Sequence, residues 1–242
     1  MPVTWYDSVV TKIEDASPTV RRFWLDVPGA EKPVFKAGQF ITIDLPIGDK
    51  RLQRWRSYSI ANAPQEDAGA LELCIVKAPN GQGSQYLFEE VRPGSSLRWK
   101  GPEGAFFLPD TIEKDLVLVC TGTGIAPFRS MIRDLQLSGK AHRRLHLIFG
   151  TRREADILYR QEFEALARQL PGFRYDIVLS QQADWPGYRG HVHQVYLSEY
   201  AEKRDDVAFY LCGWSNMIDE AVANLLVHLG YDRSQIHYEL YG

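Results

Sequence analysis

Two textures of hydrophobic and polar residues divide the chain near residue 110. Before it, apolar and polar positions alternate with period two. "QFITIDL" sets Ile41, Ile43 and Leu45 against Phe40, Thr42 and Asp44, and "LELCIVK" sets Leu71, Leu73 and Ile75 against Glu72, Cys74 and Val76. Alternation of this kind predicts half-buried strands. Pro46, Gly48, Pro64, Pro93 and Gly94 punctuate the runs as turn residues do. The first half therefore reads as an antiparallel β-barrel or sandwich.

After residue 110 the apolar runs become nearly continuous: "LVLVC" at 116–120, "LHLIFG" at 145–150, "YDIVLS" at 175–180 and "VAFYLCG" at 207–213. Between them, Phe128, Met131, Ile132 and Leu135 recur at helical spacing, as do Ile218, Ala221, Val222 and Leu225. Strands without alternation, separated by helices, predict a parallel sheet covered on both faces. The polar stretch "FLPDTIEKD" at 107–115 marks the boundary. The expected fold is thus two-domain, an antiparallel β-barrel over residues 1–110 followed by an α/β parallel-sheet domain over 111–242.

Composition removes whole classes of function. The 242 residues are 45% hydrophobic and 24% charged, with a net charge of -3, so no basic field invites nucleic acid or an anionic membrane. No apolar run approaches the roughly 20 residues of a membrane helix, and the opening "MPVTWYDSVVTKIED" lacks the layout of a secretion signal, so a cytoplasmic protein is expected. Cys74, Cys120 and Cys212 are odd in number and far apart, which excludes a disulfide framework and a zinc knuckle. They are also too few for a four-thiolate iron–sulfur cluster, and no metal site is expected.

Four short stretches carry candidate chemistry. In "CTGTGIAPF", Gly122 and Gly124 end a predicted strand and open a helix, where free N–H groups and the positive dipole end suit a diphosphate. "YLCGWSNM" ends a later parallel strand with Cys212 and Gly213, at the carboxyl edge where open sheets bind ligands. In "PNGQGSQYL", the amides near Gly81 and Gly83 and the Ser84 hydroxyl can ring a second phosphate. "RSYSIANAP" places Arg56, a permanent cation suited to phosphate, on a strand with Ser57, Tyr58 and Ser59. Taken singly, each also reads as an ordinary turn or surface residue.

Together these residues resemble the ferredoxin–NADP reductase superfamily. "RSYS" matches its R-x-Y-S/T flavin motif and "GQGS" its G-x-x-S, followed in order by "GPEGAF", "GTGIAPF", "YLCG" with Met217, and the acidic-aromatic end "YELYG". The match spans almost the whole chain and carries no iron–sulfur domain. It implies FAD in the barrel and NADH or NADPH in the second domain.

By that resemblance Arg56 pairs with the flavin phosphate, Tyr58 packs on the isoalloxazine ring and Ser59 lies near its reactive edge. Ser57, Val76, Lys77 and Gly81 join the flavin contacts, and Gly83 and Ser84 hold its pyrophosphate. Thr121, Gly122, Thr123, Gly124 and Arg152 bind the nicotinamide dinucleotide, with Cys212 and Gly213 beside its nicotinamide. Ser59, Cys212, Glu239 and Tyr241 form the reactive group. Trp214 and Ser215 depart from the family's Cys-Gly-Pro, and Gly242 extends one residue past the terminal aromatic. Period two puts Arg56 and Tyr58 on one side of their strand and Ser57 and Ser59 on the other, so Ser59 is expected to reach the flavin through its backbone or from the strand edge.

The implied reaction moves hydride from the nicotinamide to the flavin and electrons onward to a ferredoxin, a flavodoxin or an oxygenase component. A flavin- or nucleotide-binding sensor or assembly subunit without turnover and a stand-alone reductase of ferric chelates or free flavin are the alternatives. Gln181 after "DIVLS", where NADPH-specific relatives tend to carry Arg, leans towards NADH. His191 and His193 suit one face of a strand and read as surface or core residues, and "AEKRDD" at 201–206 reads as a solvated loop.

Overall fold

In the computed structural model residues 4–29 and 32–240 are described. The chain packs as two units, Met1–Leu108 with Ala126–Ser138, and Pro109–Ile125 with Gly139–Gly242. The first contains strands β1 (Trp5–Ser17), β2 (Val20–Asp26), β3 (Phe40–Asp44), β4 (Trp55–Ser59), β5 (Leu71–Val76) and β6 (Ser96–Glu103), with helices α1 (Arg51–Arg54) and α2 (Gln82–Glu89). The strand order is β4-β3-β6-β1-β2-β5, antiparallel throughout. An antiparallel bridge between Ile60 and Leu73 joins the two edges and closes the sheet into a barrel. Its interior is the alternation read from the sequence: Ile41, Ile43, Leu45, Leu71 and Leu73 are fully buried, and with Trp99 they fill the core. Each such side chain contributes roughly 1.5–3 kcal/mol on leaving water.

β5 departs from the half-buried expectation, because Glu72 and Cys74 on its outer face are 1% and 5% exposed. Glu72 is met by α3 (Ile125–Ser138), whose residues from Ala126 belong to this unit. Arg129 Nη1 donates to Glu72 Oε2 at 3.1 Å and to the Ala61 carbonyl at 2.9 Å, while Arg22 Nε donates to Glu72 Oε1 at 2.6 Å. Ser130 Oγ donates to the Asn62 carbonyl at 2.6 Å. Asn62, itself fully buried, donates to the Ala70 carbonyl and accepts the Glu72 N–H, both at 2.8 Å. Burial pushes the Glu66 carboxyl up, but the Ala63 N–H and the charges of Arg133 and Arg129 outweigh it and hold the group below its ordinary value.

The second unit holds β7 (Asp115–Thr121), β8 (Leu145–Thr151), β9 (Phe173–Leu179), the short β10 (Tyr188–Arg189), β11 (Val207–Gly213) and β12 (Ile236–Leu240). They run in the order β10-β9-β8-β7-β11-β12, all parallel. Helices α4 (Arg160–Gln169), α5 (His193–Glu199) and α6 (Ser215–Ala223) connect them. β12, which the continuous apolar runs do not predict, pairs beyond β11. Nor is "AEKRDD" simply a solvated loop: Arg204 Nη2 donates to the buried Asp115 at 2.7 Å, and Asp206 accepts from Arg143 at 3.0 Å. The histidine pair is not on a strand either. His193 opens α5, is buried, and meets the Tyr196 hydroxyl at 2.7 Å.

Replacing Arg129 by Met should remove about 3 kcal/mol of stability in urea unfolding, because a buried carboxylate loses one of its two cations. Adding Glu72→Gln should recover much of it by removing the charge. A single-mutant loss below about 1 kcal/mol would mean that Arg22 alone satisfies Glu72.

Candidate functional site

β4 pairs with β3 in unbroken register, Ile43 opposite Arg56, Thr42 opposite Ser57, Ile41 opposite Tyr58 and Phe40 opposite Ser59. Arg56 and Tyr58 therefore share one face and Ser57 and Ser59 the other. The hydroxyls of Ser57 and Thr42 lie 3.0 Å apart, and Ser59 is buried at the strand end. Tyr58 packs against the barrel core. Burial drives its hydroxyl far above the ordinary range, against the opposing pull of the Arg56 charge, so the ring stays neutral.

At the end of β5, Val76 pairs with Val20, and the exposed Lys77 forms an ion pair with Glu89 at 2.9 Å. The following turn brings the two candidate flavin motifs together. A Cβ on Gly83 would lie 2.8 Å from Arg56 Cγ and 3.2 Å from its Nε, so only glycine lets the arginine lie across the first turn of α2. The guanidinium is anchored by Nη1, which donates to the Trp55 carbonyl at 2.8 Å and the Leu52 carbonyl at 3.3 Å.

Ser84 differs from expectation. Its hydroxyl accepts the Ala78 N–H and donates to the Gly81 carbonyl, each at 3.0 Å, and so staples the turn. The donors facing an anion are then the amides of Gln82, Gly83 and Ser84, which have no intrahelical acceptor, together with Arg56. A diphosphate carrying a planar ring fits this cradle.

In the second unit, "GTG" and "CG" interlock. A Cβ on Gly124 would lie 2.4 Å from the Cys212 carbonyl oxygen and 2.7 Å from Gly213 Cα. One on Gly213, whose φ is +139°, would lie 2.4 Å from Thr121 Oγ1. Gly122 has φ +54°, and Gly122–Gly124 form a single tight turn before α3, whose N-terminus has no side-chain cap. Thr121, Gly122 and Thr123 are half-exposed beside it. A second diphosphate site is therefore available here.

Cys212 itself is fully buried, in register with Cys120 on β7 and Glu239 on β12. Burial raises the Cys120 thiol well above its ordinary value, and neighbouring Cys212 adds to the effect. Glu239 is half-buried, and Arg152 is exposed just after β8. Tyr241 and Gly242 lie outside the described residues. Sequence reasoning missed Asn62, Glu72, Arg129 and Ser130. An Asn two residues before Pro64 was the one local signal, since Asn side chains organise turns.

Among the described residues no helix is long and apolar enough to cross a membrane, and no group of three or more His, Cys, Asp or Glu is placed to hold a metal ion. Residues 7–108 match the family described as the oxidoreductase FAD-binding domain, and 118–223 that of the oxidoreductase NAD-binding domain. The chain is 34% identical to ferredoxin–NADP reductase B of Sorangium cellulosum over 98% of its own length and 97% of that protein. It is 33% identical to the phenol hydroxylase P5 protein of Acinetobacter pittii, covering 97% of this chain but 65% of that one. An Amycolatopsis cytochrome P450 reductase superposes with a TM-score of 0.87 at 28% identity, over 99% of this chain and 70% of that one.

Gly124→Ala should force strand-end backbone apart, lowering stability by about 2 kcal/mol and NAD(P)H affinity at least about tenfold. Gly122→Ala strains only its own backbone and should cost about 1 kcal/mol in thermal unfolding. Equal effects of the two substitutions would show that the Gly124–Cys212 approach is not the critical one.

Proposed function

Because the chain belongs to the ferredoxin–NADP reductase superfamily, we infer that it is a flavin-dependent oxidoreductase that oxidises NADH or NADPH and passes the electrons to a separate acceptor. The observation that carries the reading is the contact between Arg56 and Gly83. It packs the stem of a permanent cation against the first turn of a helix, on the same strand face as a neutral aromatic ring. When bound, FAD supplies the hydride-accepting and single-electron chemistry, and the protein supplies binding and orientation.

In this reading residues 1–110 form the FAD-binding half and 111–242 the NAD(P)H-binding half. Arg56 and the amides of Gln82, Gly83 and Ser84 hold the FAD pyrophosphate, with Gly81 and the Ser84 hydroxyl shaping the turn. Tyr58 presents its ring to the isoalloxazine. Ser59, on the opposite strand face, contributes its backbone at the strand end, and Val76 and Lys77 border the turn. The amides of Gly122, Thr123 and Gly124 hold the NAD(P)H diphosphate, next to Thr121 and Gly213, and Arg152 stands at the adjacent strand end. Cys212 acts through its backbone, because its side chain is enclosed, while Glu239 and Tyr241 complete the reactive group.

The acceptor is a ferredoxin, a flavodoxin or an oxygenase component. The relatives named as a phenol hydroxylase P5 protein and a cytochrome P450 reductase favour the last of these.

Anaerobic mixing of the FAD-loaded protein with NADH and with NADPH should bleach the visible flavin absorption. Bleaching by neither would favour a sensor without turnover, and a protein that cannot be loaded with FAD would overturn the assignment. Arg56→Ala should weaken FAD retention about tenfold or more while leaving hydride transfer in the remaining holoprotein nearly unchanged. Unaltered retention would remove Arg56 from the phosphate site.

A further inference from the structure

Trp214 is one of the most exposed large apolar side chains among the described residues, at 62%. Scattered exposed hydrophobics need no explanation, but this one springs from a backbone that is fixed on both sides. Its backbone N–H donates to Thr121 Oγ1 at 3.3 Å. The residue before it, Gly213, is fixed by its left-handed φ and its packing on Thr121, and the residue after it begins α6. The indole Nε1 lies 3.7 Å from where a Cβ on Gly122 would sit. The nitrogen-bearing edge of the indole therefore lies next to the first glycine of the turn read as the diphosphate site.

An indole adds little to phosphate binding beyond one N–H, whereas its flat face suits a planar ring. A dinucleotide has two such rings, and strand order separates them. In open parallel sheets the adenosine ribose is read at the end of the strand following the glycine turn, which here is β8. Trp214 follows β11, on the opposite side of β7 from β8. The ring within its reach is thus the one at the other end of the ligand.

We propose that Trp214 is a binding residue for the nicotinamide half of the dinucleotide, stacking on its ring and orienting it over the Gly122 turn. This rests on the reading of that turn as the NAD(P)H diphosphate site. No covalent step is assigned to Trp214, and its role is to position the ring.

The test uses the purified flavoprotein and calorimetric titration with four probes. Two are the 1,4,5,6-tetrahydro forms of NADH and NADPH, which keep the ring but cannot donate hydride. The others are ADP-ribose and its 2′-phosphate, which lack the ring. Trp214→Ala should weaken the better-binding tetrahydro dinucleotide about tenfold and change the corresponding ADP-ribose by less than about twofold, whereas Trp214→Phe should keep most of the affinity. Equal weakening of both probes, or of neither, would overturn the nicotinamide assignment while leaving the diphosphate site intact. Absence of binding by the unmodified protein to all four would overturn the reading of the turn, and this proposal with it.

Discussion

A single missing carbon at Gly124 decides how the second unit's strand ends meet. With a Cβ there, the Cys212 carbonyl would be 2.4 Å away, and β11 could not run beside the turn after β7 as it does. Gly213 returns the constraint from the other side, because a Cβ on it would strike Thr121. Two glycines 89 positions apart in the chain, at 124 and 213, therefore define one piece of backbone surface. The first unit repeats the device at Gly83, where the space left by a side chain is taken by the stem of Arg56. In both places the glycine does more than permit a turn. It brings a second motif to within van der Waals contact, so that amides and a neighbouring group converge on one ligand-sized region.

α3 ties the glycine turn to a very different kind of interaction. The helix starts at the turn, yet from Ala126 onward it belongs to the unit that holds the barrel. What it meets there is Glu72, a carboxylate that is 1% exposed. Removing such a group from water costs several kcal/mol, which only close cations and hydrogen bonds offset. Arg22 and Arg129 each take one oxygen, and Asn62 fixes the Glu72 N–H. Apolar packing of Phe128, Met131, Ile132 and Leu135 could tolerate a helix that slides or rotates, because dispersion has little direction. The Arg129 fork and the Ser130 hydroxyl do not, and they set the helix at one register against the Ala61–Asn62 turn.

Much of this was legible in the residue pattern. Period two in "QFITIDL" found a barrel strand, continuous apolar runs found β7, β8, β9 and β11, and 3–4 spacing found α3. The failures share one cause, the long-range partner. "LELCIVK" alternates as a half-exposed strand would, but Arg129, 57 residues after Glu72, covers that carboxylate. "AEKRDD" looks solvated until Asp115, 89 residues away from Arg204, claims that arginine. β12 was missed because "IHYEL" is short and interrupted by His237 and Glu239, and only its pairing with β11 makes it a strand. The site motifs were readable because glycine and arginine at fixed spacing have local meaning. Their atomic roles were not, and Ser84 illustrates the gap. Nothing in "GQGS" says whether the hydroxyl faces a ligand or, as found, closes its own turn.

The strand that carries Arg56 and Tyr58 shows how little backbone is needed to sort a ligand's chemistry. Residues two apart on a strand lie about 6.6 Å apart on one face. The unbroken pairing with β3 keeps both side chains on that face, with no bulge to turn either aside. One position offers a fixed positive charge at a helix start. The next offers a ring whose hydroxyl is held neutral by burial, despite the nearby guanidinium. Under the proposed function, a ligand with an anionic diphosphate at one end and a planar ring system at the other would meet both needs on a single rigid element. Ser57 and Ser59 face the other way, so their hydroxyls leave this surface to the cation and the ring, and the strand discriminates by face rather than by residue type.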